Sequence, residues 1–166
     1  MDKVLIFSPD RCTGCALCEL ICSLVHTKTC NPARSRIRVV TLEQKGVVQR
    51  FCQQCEDAAC VAACPVSAIT NNEALGTIEI DGELCIMCED CIAACPFKAI
   101  YQDGIDEKII ACDLCEGDPQ CVTYCETKAI EFLEKDSVTK QKKQQSLQEL
   151  KGLLKLLQVY TGGLDS

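Results

Sequence analysis

Sixteen of the seventeen cysteines stand in four tight groups: Cys12, Cys15, Cys18 and Cys22; Cys52, Cys55, Cys60 and Cys64; Cys85, Cys88, Cys91 and Cys95; Cys112, Cys115, Cys121 and Cys125. Thiolate is a soft ligand, and a cuboidal [4Fe–4S] cluster takes four of them. The first and third groups read C-x2-C-x2-C-x3-C. In that spacing three thiolates wrap one cluster and the fourth reaches the other cluster of a pair. Pro96 follows the third group and Pro65 the second, closing the run as such motifs do. Sixteen ligands at four per cluster predict four [4Fe–4S] clusters in the chain. The chemistry they imply is one-electron transfer.

Two other uses of so much cysteine fit less well. A disulfide scaffold belongs to small secreted chains, but the apolar stretch within residues 1–7 is too short for a signal peptide and no small-residue cleavage site follows. Disulfide frameworks also have no reason to repeat C-x2-C four times. Zinc ribbons join two C-x2-C pairs across a long gap. Here a third thiol follows the second after two to five residues and a fourth comes three later. That density suits a core with a metal at each corner. His26 is the sole histidine, so few other soft ligands are on offer.

At 166 residues the chain is one domain or two very small ones. It has no Trp and 4% aromatic residues, too little for a large side-chain core. The clusters must therefore serve as core, with folding coupled to metal binding, and the metal-free chain is expected to be disordered. Net charge is −7. Residues 1–135 hold twelve Lys/Arg against twenty-one Asp/Glu, and residues 136–166 hold five Lys against three acids. An acidic body disfavours nucleic acid as partner. No run reaches the eighteen apolar residues of a membrane span. Oxygen-sensitive thiolate chemistry without a signal peptide predicts a reducing cytoplasm, in an anaerobe.

The four groups punctuate a repeat of short strand, cysteine loop, short helix and short strand. Strands are predicted before the groups at 4–7, 47–51, 77–80 and 108–111, and after them at 36–42, 68–70, 99–101 and 129–133. Residues 58–63 and 90–94 read as single helical turns carrying the last two ligands of their groups. Cys64, Cys95 and Cys125 share a continuation in which a small residue and an Ile (Ala68-Ile69, Ala99-Ile100, Ala129-Ile130) enter the next strand. The fold class is α+β. Two such units build a two-cluster ferredoxin, so four predict a double bacterial-ferredoxin-like domain over residues 1–135, with two pseudo-symmetric halves.

Over residues 3–134 the chain resembles the four-cluster iron–sulfur subunits of molybdenum and tungsten oxidoreductases, hydrogenases and formate dehydrogenases. The resemblance implies that groups one and four share one half and groups two and three the other. It implies the ligand sets Cys12/Cys15/Cys18/Cys125, Cys112/Cys115/Cys121/Cys22, Cys52/Cys55/Cys60/Cys95 and Cys85/Cys88/Cys91/Cys64. Spacing alone leaves pairing of adjacent groups open. Some members of that family replace one ligand and carry a three-iron cluster, whereas all sixteen positions are Cys here. The segment from Cys12 to Cys22, followed by Asn31-Pro-Ala-Arg-Ser-Arg-Ile37, is similar to the small subunits of tungsten-containing aldehyde oxidoreductases and benzoyl-CoA reductase complexes. Ferredoxins associated with carbon monoxide dehydrogenase also look much like it.

Outside the groups, Cys30 reads as a free, buried thiol acting as a small hydrophobe. His26 is either an ordinary polar residue ending a helical turn or a ligand or proton-coupled modulator of the first cluster. Arg34, Arg36 and Arg38 alternate on one face of the expected strand, a solvated face or a positive strip that offsets cluster charge or docks an acidic partner. Gly14 lets the backbone turn tightly beside a cluster, and Met87 reads as packing. No nucleophile–base pair, phosphate loop or open metal site is present, so the chain is expected to be non-catalytic. Residues 136–166 form a separate tail. Leu147, Leu150, Leu154 and Leu157 set an amphipathic helical stripe there, suited to a groove on a partner, to packing back over the ferredoxin-like body or, with Lys140, Lys142, Lys143, Lys151 and Lys155, to a membrane surface.

The expected function is an electron-transfer subunit between a large tungsten or molybdenum oxidoreductase subunit and a soluble ferredoxin or other redox subunit. Self-association into longer wires is conceivable. The alternatives are a ferredoxin subunit of a carbon monoxide dehydrogenase, hydrogenase or formate dehydrogenase complex, and a free-standing polyferredoxin. A regulatory iron–sulfur protein would need an open coordination position, which sixteen cysteines argue against.

Overall fold

The computed structural model describes residues 3–42 and 46–135. The expected C-terminal amphipathic helix, and with it the boundary at 135/136, lies outside the described residues. Eight short strands form four two-stranded antiparallel sheets. β1 (Lys3–Phe7) pairs with β8 (Ile130–Glu134), β2 (Arg38–Leu42) with β3 (Gly46–Arg50), β4 (Ile69–Asn72) with β5 (Thr77–Ile80), and β6 (Ile100–Asp103) with β7 (Lys108–Ala111). Three of these are local hairpins. The first is not: Lys3 lies opposite Glu134 and Phe7 opposite Ile130, so the two ends of the ferredoxin-like region close on each other.

Among the described residues four α-helices each carry a cysteine, with Cys18 and Cys22 on α1 (Leu17–Thr27), Cys60 on α2 (Ala59–Ala62), Cys91 on α3 (Asp90–Ala94) and Cys121 on α4 (Gln120–Thr123). α1 packs on α4 and α2 on α3. The expected strands at 77–80 and 108–111 and the helical turn at 90–94 have those bounds in the structure. The strand expected at 36–42 starts later, at Arg38, because Pro32–Arg34 forms a 3-10 turn closed by the Asn31 side chain on the Ala33 N–H at 3.0 Å.

Among the described residues the apolar core divides into two larger clusters and a small third one of Val48, Phe97 and Ala99. Leu5, Ile37, Phe51, Leu114 and Ile130 pack with Cys18, Cys22 and Cys121. Ile69, Ile78, Ile100, Ile109 and Ala111 pack with Cys60 and Cys91. Thiols are thus built into both larger clusters, as the shortage of large side chains requires.

Polar ties hold the loops between these cores. The Gln54 amide donates to the Cys112 carbonyl at 2.7 Å and accepts from the Ile78 N–H at 3.1 Å, joining the loops of groups two and four. Buried Arg34 donates to Asp103 at 2.9 Å and pairs with Asp106. Arg36 pairs with Asp113. Arg38 binds the Ala33 carbonyl at 2.7 Å and lies 4.8 Å from the Tyr101 ring centre. The arginine strip expected from the sequence is therefore neither a free solvated face nor a docking strip. Each guanidinium is spent on pinning residues 31–38 to the rest of the chain.

Candidate iron–sulfur centres

The four cysteine loops share one backbone device. The residue before each group's second cysteine is left-handed: Gly14 at φ 73°, Gln54 at 48°, Met87 at 58° and Leu114 at 59°. This turn aims a backbone N–H back at the first thiol of the group, as seen for Gly14 on Cys12, Gln54 on Cys52 and Leu114 on Cys112. A Cβ on Gly14 would sit 3.3 Å from Val47 Cγ2 and 3.6 Å from Thr41 Oγ1, so this loop has no room for the side chain that the other three tolerate. Gly14 was legible in the sequence; the other three positions carry no residue signal.

A second device follows the fourth cysteine. Ser67, Lys98 and Lys128, each three residues past Cys64, Cys95 and Cys125, are left-handed at φ 53°, 48° and 52°. The next N–H then reaches sulfur: Ala68 to Cys64 at 3.2 Å and Ala99 to Cys95 at 3.5 Å. Cys22 lacks this local continuation because α1 runs on past it. Its sulfur instead accepts the N–H of Arg36, fourteen residues on, at 3.3 Å. Buried Gln49 adds a side-chain donor 3.6 Å from Cys18 Sγ. Such N–H groups favour negative charge on sulfur.

Thiols from different groups come together. Cys12, Cys15, Cys18 and Cys125 line one cavity of about 270 Å³. Cys64, Cys85, Cys88 and Cys91 line a second, much tighter one. Cys52 interacts electrostatically with Cys55, Cys60 and Cys95. Cys121 does so with Cys115, Cys22 and Cys18, and Cys112 with Cys121, Cys22 and Cys52.

Burial pushes the Cys18 and Cys52 thiols up to about 12 and Cys91 up to about 11. It also raises Cys12, Cys60, Cys112, Cys115 and Cys121. Burial acts on Cys64 and Cys125 too, but converging N–H groups from residues 66–69, and from Thr127, Ala129 and Ile130, outweigh it and lower both thiols. Thiolates packed this way require a multiply charged metal core to neutralise them. The donor set, soft sulfur with N–H groups at its rim, fits a [4Fe–4S] cluster.

His26 ends α1 with Nε2 3.7 Å from Cys115 Sγ and 3.5 Å from Asp113 Oδ1. Burial first, then the Arg36 charge, lowers its pKa, with Asp113 opposing. It lies in the last turn of α1, as the reading of a polar residue ending a helical turn expects, and the thiol beside it belongs to the fourth group and not to the first. Cys30 is exposed, contrary to the expected buried thiol; the chain has left α1 and is turning towards the Pro32–Arg34 bend. Met87 Sδ lies 4.0 Å from Cys85 Sγ, in keeping with packing. Among the described residues no helix is long and apolar enough to cross a membrane.

Residues 43–135, with groups two, three and four, match the family model described as a 4Fe-4S dicluster domain. The chain is 41% identical over 121 residues to the "Aliphatic sulfonate oxidoreductase, polyferredoxin-like subunit" of Pyrococcus furiosus, covering 73% of this chain and 70% of that one. It is 32% identical to the "Thiosulfate reductase electron transfer subunit PhsB" of Salmonella typhi, over 78% of this chain and 74% of the relative. It is 30% identical to "Formate hydrogenlyase subunit 2" of Escherichia coli, over 84% and 86% respectively. The spacing of the cysteines, the loops that turn N–H groups onto them and this match together place the chain in the 4Fe-4S dicluster domain family, among ferredoxin-like iron–sulfur electron-transfer subunits.

Proposed function

We propose that the chain is a non-catalytic wire of four [4Fe–4S] clusters serving a larger oxidoreductase. The ligand sets are Cys12/Cys15/Cys18/Cys125, Cys112/Cys115/Cys121/Cys22, Cys52/Cys55/Cys60/Cys95 and Cys85/Cys88/Cys91/Cys64. Each cluster, when bound, supplies a one-electron redox site. The observation that carries the reading is the sharing of cavities by distant groups: Cys125 sits with Cys12, Cys15 and Cys18, and Cys64 with Cys85, Cys88 and Cys91. The packing of α1 on α4 and α2 on α3, and the β1–β8 closure, support two halves.

The chain's own work is positional and electrostatic. N–H groups from Arg36, Ala68 and Ala99 stabilise charge on the sulfurs. The proximity of Cys52 to Cys112 brings one set from each half together, and Gln54 bridges the same junction.

For the partner, the relative that is a subunit of an aliphatic sulfonate oxidoreductase supports a larger oxidoreductase subunit, and the Asn31–Ile37 segment favours one of tungsten or molybdenum aldehyde-oxidoreductase type. The formate hydrogenlyase relative supports the second reading, a formate dehydrogenase or hydrogenase complex. Anaerobic co-purification through a tag on this chain, with metal analysis, separates them. Stoichiometric tungsten or molybdenum in a large second subunit is the expected result. Nickel points to a hydrogenase or carbon monoxide dehydrogenase instead, and sequencing the large subunit by mass spectrometry tells a formate dehydrogenase from an aldehyde-oxidoreductase type. A chain full of iron that brings down nothing is a free polyferredoxin, and the partner proposal fails.

A further inference from the structure

Two of the proposed ligand sets reach the surface through an exposed thiol, Cys15 in one and Cys88 in the other, and the surroundings of the two differ. Two exposed apolar side chains stand at Cys88, Val66 at 36% and Ile86 at 61% exposure, and Leu84, at 53%, lies four residues earlier in the same loop. Val66 and Ile86 line the same cavity as the Cys64, Cys85, Cys88 and Cys91 thiols. The backbone presenting Leu84 is fixed, since Asp81 Oδ1 accepts the Glu83 N–H at 2.8 Å and the Leu84 N–H at 3.2 Å. The Cys85 N–H closes the turn on the Asp81 carbonyl at 3.1 Å. Exposed Asp81, Glu83, Glu89 and Asp90 flank these apolar residues in sequence. None of the four has an ion-pair partner among the described residues.

The bias extends well beyond the loop. Residues 51–97 contain eight Asp/Glu and no Lys or Arg, whereas residues 1–50 hold eight Lys/Arg against four acids. At the Cys15 end, exposed Tyr124 shares the Cys15 cavity with Glu126, and Lys128 follows four residues after Tyr124, so both signs of charge occur in that segment. An apolar centre with a one-sign rim steers and orients an oppositely charged partner, and the apolar contact desolvates the point of approach.

We propose that the Cys88 end is the docking face for a redox protein whose own contact surface is an apolar centre ringed by lysines and arginines. The inference rests on the electron-transfer reading above. It adds which end of the chain meets such a partner, and by what chemistry.

The test is anaerobic stopped-flow mixing of the dithionite-reduced, desalted, full-length holoprotein with an oxidised, lysine-ringed c-type cytochrome as probe. One electron leaves the reduced protein and ferric haem becomes ferrous. The bimolecular rate is expected to fall about ten-fold or more between low and physiological ionic strength. E83K/E89K is expected to lose about ten-fold at low salt and to flatten the salt dependence. D10K/E126K, the matched reversal at the other end, is expected to leave both unchanged, whereas Ile86→Ser is expected to lower the rate at high salt, where steering is screened. Iron content and visible spectrum of each variant keep folding apart from docking.

A fully loaded wild-type protein that passes no electron overturns the electron-transfer reading itself. Electron transfer in which E83K/E89K matches wild type at every salt concentration overturns the docking face alone. So does a version lacking residues 136–166 that reacts faster and no longer responds to those carboxylates, because the chain's own lysine-bearing tail is then the occupant.

Discussion

At ten of the sulfurs burial and N–H donation pull in opposite directions. Burial dominates for eight of these ten, holding Cys18 and Cys52 near 12 and Cys91 near 11; at Cys64 and Cys125 the donors win and lower the thiol. The raised thiols are protonated at neutral pH when no metal is bound, and a metal ligand must be thiolate, so binding expels protons. Metal retention therefore strengthens as pH rises and weakens as it falls. Iron loss to a chelator is expected to be at least about ten-fold faster at pH 6 than at pH 8, since each proton released contributes a factor of ten per pH unit; a rate independent of pH contradicts this. The proposed sharing of ligands is also readable one residue at a time. In Cys125→Ser, alkylation followed by mass spectrometry is expected to label Cys12, Cys15 and Cys18 ahead of Cys112, Cys115 and Cys121. Labelling of Cys112, Cys115 and Cys121 first would mean that adjacent cysteines serve one cluster.

The elements show what a one-dimensional pattern can and cannot carry. β5, β7 and α3 were legible because each is a short apolar or β-branched run, or a single turn bounded by ligands. α1 was under-read: eleven residues long, it continues past Cys22 to His26, and its Leu17, Leu20, Ile21, Leu24 and Val25 spacing was overshadowed by the cysteine motif. The β1–β8 pairing joins residues from opposite ends of the region, and no local pattern encodes that. The resemblance to four-cluster subunits implied only that groups one and four share a half, and left the strand pairing unstated. The arginine strip misled because alternation looks the same whether the partners are solvent or Asp103, Asp106 and Asp113. The non-glycine left-handed turns at residues 54, 87 and 114 were invisible, since tertiary context and not residue type enforces them. The β1–β8 closure also gives a stability prediction. Ile130 is fully buried beside Leu5, Cys18 and Cys121, so Ile130→Ala is expected to cost about 2–5 kcal/mol in anaerobic denaturation of the loaded protein. A loss within the error of the fit would mean that the clusters alone hold this end together.

For the whole molecule, the shortage of large side chains, the two thiol-containing cores and the asymmetric charge belong to one arrangement. The chain has 166 residues, no Trp and four Phe, and its two larger apolar cores are completed by cysteines. Folding and metal loading are then a single process, and the charge bias between the first fifty residues and residues 51–97 gives the loaded molecule two unlike ends. Everything above rests on how much iron the chain holds. Quantifying iron and acid-labile sulfide in the anaerobically isolated protein tests that directly. The account predicts sixteen iron and sixteen sulfide per chain, one per ligating cysteine. Eight of each, or zinc in their place, would contradict it.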